Sequence, residues 1–170
     1  TTLREALIAF GGDPDGWRAI DRRGKGVVAY VESHIEQGPV LLNEGLPVGV
    51  VTAIASGARM RVEVTGLAGH AGTVPMGSRQ DALAAAAEMV LAVERIASAP
   101  GEGGAALVGT VGTIDARPGA INVIPQRVSF TVDVRSGDDV ARRRATAVMR
   151  DAFDAIATQR RVKVASEVFY

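Results

Sequence analysis

The sequence predicts an α+β domain in which two helices cover one face of a four-stranded antiparallel sheet. Two observations predict it. From residue 48 onward, segments with apolar residues in alternation and segments with helical periodicity follow one another as strand, helix, strand, strand, helix, strand. The strands also alternate apolar with polar side chains, the pattern of a sheet with one dry and one wet face. This order is the split βαβ, or ferredoxin-like, βαββαβ arrangement.

The elements follow from local signals. VGVVTAIAS (48–56) and ARMRVEVTG (58–66) are β-rich and joined at Gly57. In the second, Met60, Val62 and Val64 alternate with Arg59, Arg61, Glu63 and Thr65. A glycine-rich loop, GLAGHAGTVPMG, occupies 66–77. A helix is expected over 79–98, with Leu83, Ala86, Val90, Val93 and Ala97 on its apolar face. Asp81 lies near its start, where the helix dipole favours an acid. Pro100-Gly101 should end it, and GEGG (101–104) reads as a turn. ALVGTVGTID (106–115) and RVSFTVDVR (127–135) read as strands, separated by RPGAINVIPQ. A second helix is expected over 138–159, with acids at Asp138 and Asp139 and an apolar stripe of Val140, Met149, Phe153 and Ile156. VKVASEVF (162–169) is the last strand.

Residues 1–47 stand outside this pattern and read as a segment of a neighbouring domain, with 48–170 as the ferredoxin-like domain. LREALIAF (3–10) has helical spacing and is stopped by Gly11-Gly12. Asp13-Pro14-Asp15-Gly16 marks a turn, VVAYVESHIE (27–36) reads as a strand, and PVLLNEG as a short turn of helix. The N-terminus does not read as a signal peptide. It reads as a helix already in progress, in a chain cut from something longer.

Composition narrows the function. Nineteen basic residues face nineteen acidic ones, so no net charge draws the chain to nucleic acid or an anionic membrane. No apolar run reaches membrane-spanning length. Cysteine is absent, which excludes disulfides and thiolate chemistry and fits a cytoplasmic protein. Phosphate-binding loops, cysteine zinc sites and Gly-x-Ser-x-Gly elbows are missing too.

Chemistry must then centre on the two histidines, His34 and His70. His34 precedes Ile35-Glu36-Gln37-Gly38-Pro39. On a strand, His34 and Glu36 share a face and could belong to a metal or acid–base site; a surface histidine capping a turn is the plainer alternative. His70 lies in Gly-His-Ala-Gly-Thr-Val-Pro-Met. Glycines 66, 69 and 72 would allow a ligand close to the backbone or a positive φ, and the free amides of the following helix favour an anion. A loop rich in glycine only because it turns sharply is the alternative. Asn122, in Ala-Ile-Asn-Val-Ile-Pro, is a turn former or a directed hydrogen-bonding group. Arg135 ends a strand, where it caps the sheet in solvent or offers a planar fork to a carboxylate.

Together, YVESHIEQGPVL (30–41), GVVTAIASGARMRVEVTGLAGHAGTVPM (49–76), Arg79 with Asp81-Ala82-Leu83, NVIP (122–125) and VDVR (132–135) resemble one family. It is the hydantoinase/carbamoylase branch of the M20 metallopeptidase-like amidohydrolases, which includes N-carbamoyl-L-amino-acid hydrolases, β-ureidopropionases and allantoate amidohydrolases. The resemblance implies a metal-dependent amidohydrolase acting on a small ureido acid. It implies a catalytic domain holding two divalent metals (zinc, manganese, cobalt or nickel) and a ferredoxin-like lid that carries the homodimer contact. By position, it implies that His34 is a metal ligand and that Gln37 contacts substrate near the metals. It implies that His70 reaches an active site across the dimer to polarise the scissile carbonyl or hold its oxyanion, and that Asn122 and Arg135 grip the substrate carboxylate.

Departures bound this reading. The family's His-x-Asp, Glu-Glu and late histidine are missing, so the chain is expected to be inactive alone, as a lid plus a short part of the catalytic domain. Val74 stands where a threonine is usual and Ser33 where an apolar residue is usual. The alternative reading is a non-catalytic ferredoxin-like dimerisation module. An RNA-binding ferredoxin-like module is a third, lacking the basic and aromatic strand motif such modules use.

Overall fold

The computed structural model describes residues 1–99 and 106–169, so the turn expected at Pro100-Gly101 and GEGG lies outside the described residues. The chain divides into two compact units, Thr1–Val50 and Val51–Tyr170.

In the first unit, α1 (Leu3–Ala9) begins with a capping box: the Thr2 hydroxyl accepts from the Glu5 amide at 3.3 Å, and the Glu5 carboxylate accepts from the Thr2 amide at 2.9 Å. Gly11, at φ 86°, follows its end. A 3-10 turn covers Gly16–Ile20, and α2 is a single turn, Val40–Asn43. The strand expected over 27–36 does not form; those residues carry no regular secondary structure. β-branched residues make a strand only when a second strand takes up their amides and carbonyls, and no strand lies in this unit among the described residues.

The second unit contains β1 (Ser56–Thr65), β2 (Gly69–His70), a 3-10 turn (Met76–Ser78), α3 (Ala82–Ser98), β3 (Leu107–Arg117), β4 (Val123–Ile124), β5 (Arg127–Ser136), α4 (Asp139–Arg160) and β6 (Lys163–Val168). The strand expected from residue 48 starts only at Ser56. The main sheet has the order β3-β5-β1-β6, antiparallel throughout. This is the ferredoxin-like topology, with the first and third long strands in the middle. A second, two-stranded sheet pairs β2 with β4; the sequence carried no sign of it beyond a glycine-rich loop.

The dry face of the sheet is the one that alternation predicts. Met60 pairs with Val132, Val62 with Phe130 and Val64 with Val128, and all six are fully buried. Phe130 meets Phe153 of α4 edge-on, with ring centroids 5.9 Å apart. Replacing Phe153 by alanine is expected to cost about 3–5 kcal/mol, read as a lower midpoint in urea unfolding with the sheet still assembled at low denaturant.

Both helices pack on this one face, but their stripes differ from those expected. α3 buries Ala82, Ala85, Ala86, Met89, Ala92 and Val93, leaving Leu83 and Leu91 exposed and Val90 only half-buried. Apolar residues fill most positions of this helix, so two faces are comparably apolar in sequence. The structure selects the one with small residues, which lets the helix axis approach the sheet. On α4, Met149, Phe153, Ala145 and Ala157 are buried and Ile156 packs against them, while Val140, in the first turn, is exposed. The helices start at Asp81 and Asp138, whose carboxylates accept from the amides two and three residues on.

Candidate active site

His70 and Asn122 are brought together by the small sheet. Gly69 pairs with Ile124 and His70 with Val123, and the Ala71 amide donates to the Asn122 carbonyl at 2.9 Å. The His70 carbonyl accepts from the Thr73 and Val74 amides at 3.2 and 3.1 Å, closing a turn directly after the histidine. The Gly72 amide donates to His70 Nδ1 at 3.0 Å. An amide has only a proton to give, so Nδ1 is the acceptor nitrogen and the ring proton of the neutral imidazole sits on Nε2. The side chain is exposed, and this Nε2–H is the donor it offers.

The glycines of this loop have a different use from the one expected. None of 66, 69 and 72 has a positive φ. A Cβ at Gly66 would lie 2.0 Å from the Gln80 carbonyl oxygen, so the first glycine is needed for contact with the protein's own backbone. A Cβ at Gly72 would lie 3.2 Å from His70 Cε1, so only glycine leaves the ring its full space. The anion attracted by the start of α3 is the protein's own Asp81, which takes the Leu83 and Ala84 amides.

Arg135 lies elsewhere. It pairs with Gly57 and Val108 at the far end of β5, whereas β4 immediately precedes Arg127 at the near end. Eight residues of strand separate Arg127 from Arg135, roughly 26 Å at the usual rise. Arg135 lines a groove of about 510 Å³ on the wet face with Arg59, Thr110, Thr131, Asp133 and Phe169. Its Nε and Nη2 donate to the Asp133 carboxylate at 2.9 to 3.3 Å, and Arg59 approaches the same carboxylate at 3.6 Å. The hydrogen bond from Arg135 is the main cause that holds the Asp133 carboxyl below the usual carboxylate range; partial burial opposes it and Arg59 assists. The neighbouring Ser136 is buried; its hydroxyl donates to the Ala106 carbonyl at 2.8 Å and accepts from the Asp138 amide at 3.1 Å, fixing the backbone beside Arg135.

Because the Asp133 pKa is depressed on folding, its contribution to stability is present above the unfolded carboxylate value of about 4 and is lost as pH falls through the lower folded value. Acidification from about pH 4 down through that value is therefore expected to destabilise the chain, and less steeply for Asp133→Asn. Urea midpoints measured across the acid range check this; equal slopes for the two proteins would contradict it.

In the first unit, His34 is exposed, with Nδ1 2.5 Å from the Ile35 carbonyl oxygen. Glu36 is not available to partner it, because its carboxylate accepts from the Val40 and Leu41 amides at 2.9 and 3.0 Å and caps α2. Gln37 is exposed and held at φ 59°, a left-handed conformation that costs a non-glycine residue about 1 kcal/mol. Among the described residues no three His, Cys, Asp or Glu side chains are grouped to hold a metal. The described residues therefore do not by themselves group into a metal site. No helix among the described residues is long and apolar enough to cross a membrane.

Residues 52–161 match the peptidase dimerisation domain of the M20 family, and the chain belongs to that family. Its relatives place it in the hydantoinase/carbamoylase branch. Over 166 residues it is 41% identical to N-carbamoyl-L-amino acid amidohydrolase of Geobacillus stearothermophilus, covering 98% of this chain and 40% of the relative. Over 133 residues it is 47% identical to allantoate deiminase 1 of Glycine max, covering 69% and 28%. A crystal structure of a hydantoinase/carbamoylase family amidase from Burkholderia ambifaria superposes with a TM-score of 0.75 at 40% identity, covering 81% of this chain and 33% of that one. The chain thus spans two fifths or less of the length of these proteins.

Proposed function

We propose that this chain is the lid, with a short part of the catalytic domain, of a cytoplasmic, homodimeric, metal-dependent amidohydrolase. It hydrolyses the ureido C–N bond of an N-carbamoyl-L-amino acid or a related ureido acid such as allantoate. The observation that carries the proposal is the Gly72 amide bonded to His70 Nδ1, which leaves Nε2–H as a fixed donor. Attack of water on the ureido carbonyl places negative charge on its oxygen, and a preset donor stabilises that charge more than the neutral carbonyl.

Asn122, held beside His70 by the β2–β4 pairing, orients the same substrate. Arg135 supplies the charged fork for the substrate carboxylate. His70 is paired with Val123, just before the near end of β5, whereas Arg135 stands at its far end, roughly 26 Å from Arg127; this placement supports a site shared between subunits. Each active site therefore draws His70 and Asn122 from one subunit and Arg135 from the other, which makes dimerisation part of catalysis. The free edge of β3, with exposed Val108 on one face of the sheet and exposed Ile114 on the other, is available for the dimer contact. His34 and Gln37 belong to the catalytic-domain portion, His34 as one ligand of a divalent metal pair completed by residues outside this chain, and Gln37 as a substrate contact.

The test is to assay the full-length, metal-loaded protein against N-carbamoyl-L-amino acids, N-carbamoyl-β-alanine and allantoate. Turnover of at least one, with release of ammonia, is expected. Failure on all three, with metal bound and the dimer intact, would leave the non-catalytic dimerisation module as the correct reading. The 170-residue chain alone is expected to show no turnover, because no group of His, Cys, Asp or Glu side chains among its described residues could hold a metal.

A further inference from the structure

The His70 turn is held from outside by two arginines. Arg79 is half-buried; its Nε donates to the Val74 carbonyl at 3.1 Å and its Nη2 to the Ala71 carbonyl at 2.7 Å. These carbonyls flank Gly72, whose amide sets the His70 ring. Arg79 is itself held: Arg161 Nη2 donates to the Gly77 carbonyl at 2.5 Å and to the Arg79 carbonyl at 3.3 Å.

Arg161 occupies an unusual place for an arginine. It follows α4 at φ 59° and ψ 35°, with its amide bonded to the Thr158 carbonyl and the Val162 amide to the Ala157 carbonyl. This is the left-handed closing position of a helix that glycine ordinarily fills. Glycine there would remove the backbone strain but would also remove the guanidinium that reaches the 77–79 segment.

We infer that Arg79 and Arg161 form a two-step latch that holds the 70–74 turn, and that both are positioning residues for His70. The inference rests on the proposed role of His70 for its catalytic consequence but not for the latch itself. A lysine at 79 could not replace the fork, since one ammonium cannot hold two carbonyls at fixed separation as a planar guanidinium does. Loss of either step loosens the turn, so His70 Nε2–H samples positions away from the reacting oxygen. The penalty falls on kcat rather than on KM, because the donor acts on charge that develops in the transition state.

The experiment uses Arg79→Lys and Arg161→Gly. In the 170-residue chain, amide hydrogen exchange at Ala71, Gly72, Thr73 and Val74 should quicken by about tenfold in both variants, with β1 and β5 amides unchanged. Arg161→Gly should melt no lower than the parent chain, since glycine suits the left-handed position, so misfolding cannot explain its effect. In the full-length enzyme, both variants should lower kcat about tenfold with KM within about twofold, and added guanidinium ion should partly restore Arg79→Ala. Unchanged exchange would overturn the latch. Faster exchange with unchanged kcat would overturn the positioning role, provided His70→Ala is itself impaired. If His70→Ala retains full turnover, the reading of His70 has failed, while the exchange result still decides the latch.

Discussion

Replacing His70 by alanine in the full-length enzyme is expected to lower kcat by about 10²–10³-fold, the usual loss when one oxyanion donor is removed. KM should change little, because the donor acts mainly on charge that appears after binding. The fold should be unaffected: the ring is exposed, and the backbone pairing of Gly69 with Ile124 needs no imidazole. Glutamine at 70 retains an N–H donor on a longer, looser arm and should recover part of the loss. Metal content should stay at the wild-type level. Steady-state kinetics with a metal assay check all of this; wild-type kcat in His70→Ala would remove the oxyanion role.

Replacing Arg135 by alanine is expected to reduce kcat/KM by about 10²–10³-fold, corresponding to two charge-assisted hydrogen bonds to the substrate carboxylate. Here KM should carry much of the change. Arg135→Lys keeps the charge but not the fork, and should recover only part of the binding. Substrate analogues lacking the carboxylate should be turned over equally poorly by the wild type and Arg135→Ala. An analogue that discriminates between the two proteins as strongly as the acid does would show that Arg135 serves some other end. Asp133 is ionised at neutral pH beside both Arg135 and Arg59, so its carboxylate stays charged where these guanidinium groups meet it.

Much of the fold was legible because alternation is a strong signal where a sheet has one wet face. Val128, Phe130, Val132 and Val134 are all buried, as their spacing predicts. The ferredoxin-like order was legible for similar local reasons, and so were acids at both helix starts, where Asp81 and Asp138 turn out to be the caps. What was not legible depended on partners. The 27–36 stretch has strand composition but no strand to pair with in its unit. The stripe of α3 was partly legible: Ala86 and Val93 are buried as expected and Ala97 packs on the core, but Leu83 is exposed, because several faces of this helix are apolar and only packing chooses between them.

The site divides the same way. Residue type and local motif single out His70, Asn122 and Arg135 as candidates. Their arrangement could not be read that way, because β2 and β4 are two residues each and too short to show as strands. On a strand Glu36 could share a face with His34, but no strand forms and its carboxylate serves the amides of α2. The link from Asp133 to Arg59 required the β1–β5 register. Arg161 gave no signal at all, since local rules place glycine where it sits.

In the proposed enzyme each active site is built from His70 and Asn122 of one subunit and Arg135 of the other. Mixed dimers of inactive full-length variants test this arrangement most directly. His70→Ala and Arg135→Ala subunits, unfolded, mixed in equal amounts and reassembled, should recover up to about a quarter of wild-type turnover, because half of the dimers are mixed and each mixed dimer has one intact site. His70→Ala mixed with Asn122→Ala should recover none, since both losses can be separated only if the two residues serve different sites. Recovery in the second mixture but not the first, with mixed dimers shown to form in both, would contradict the account.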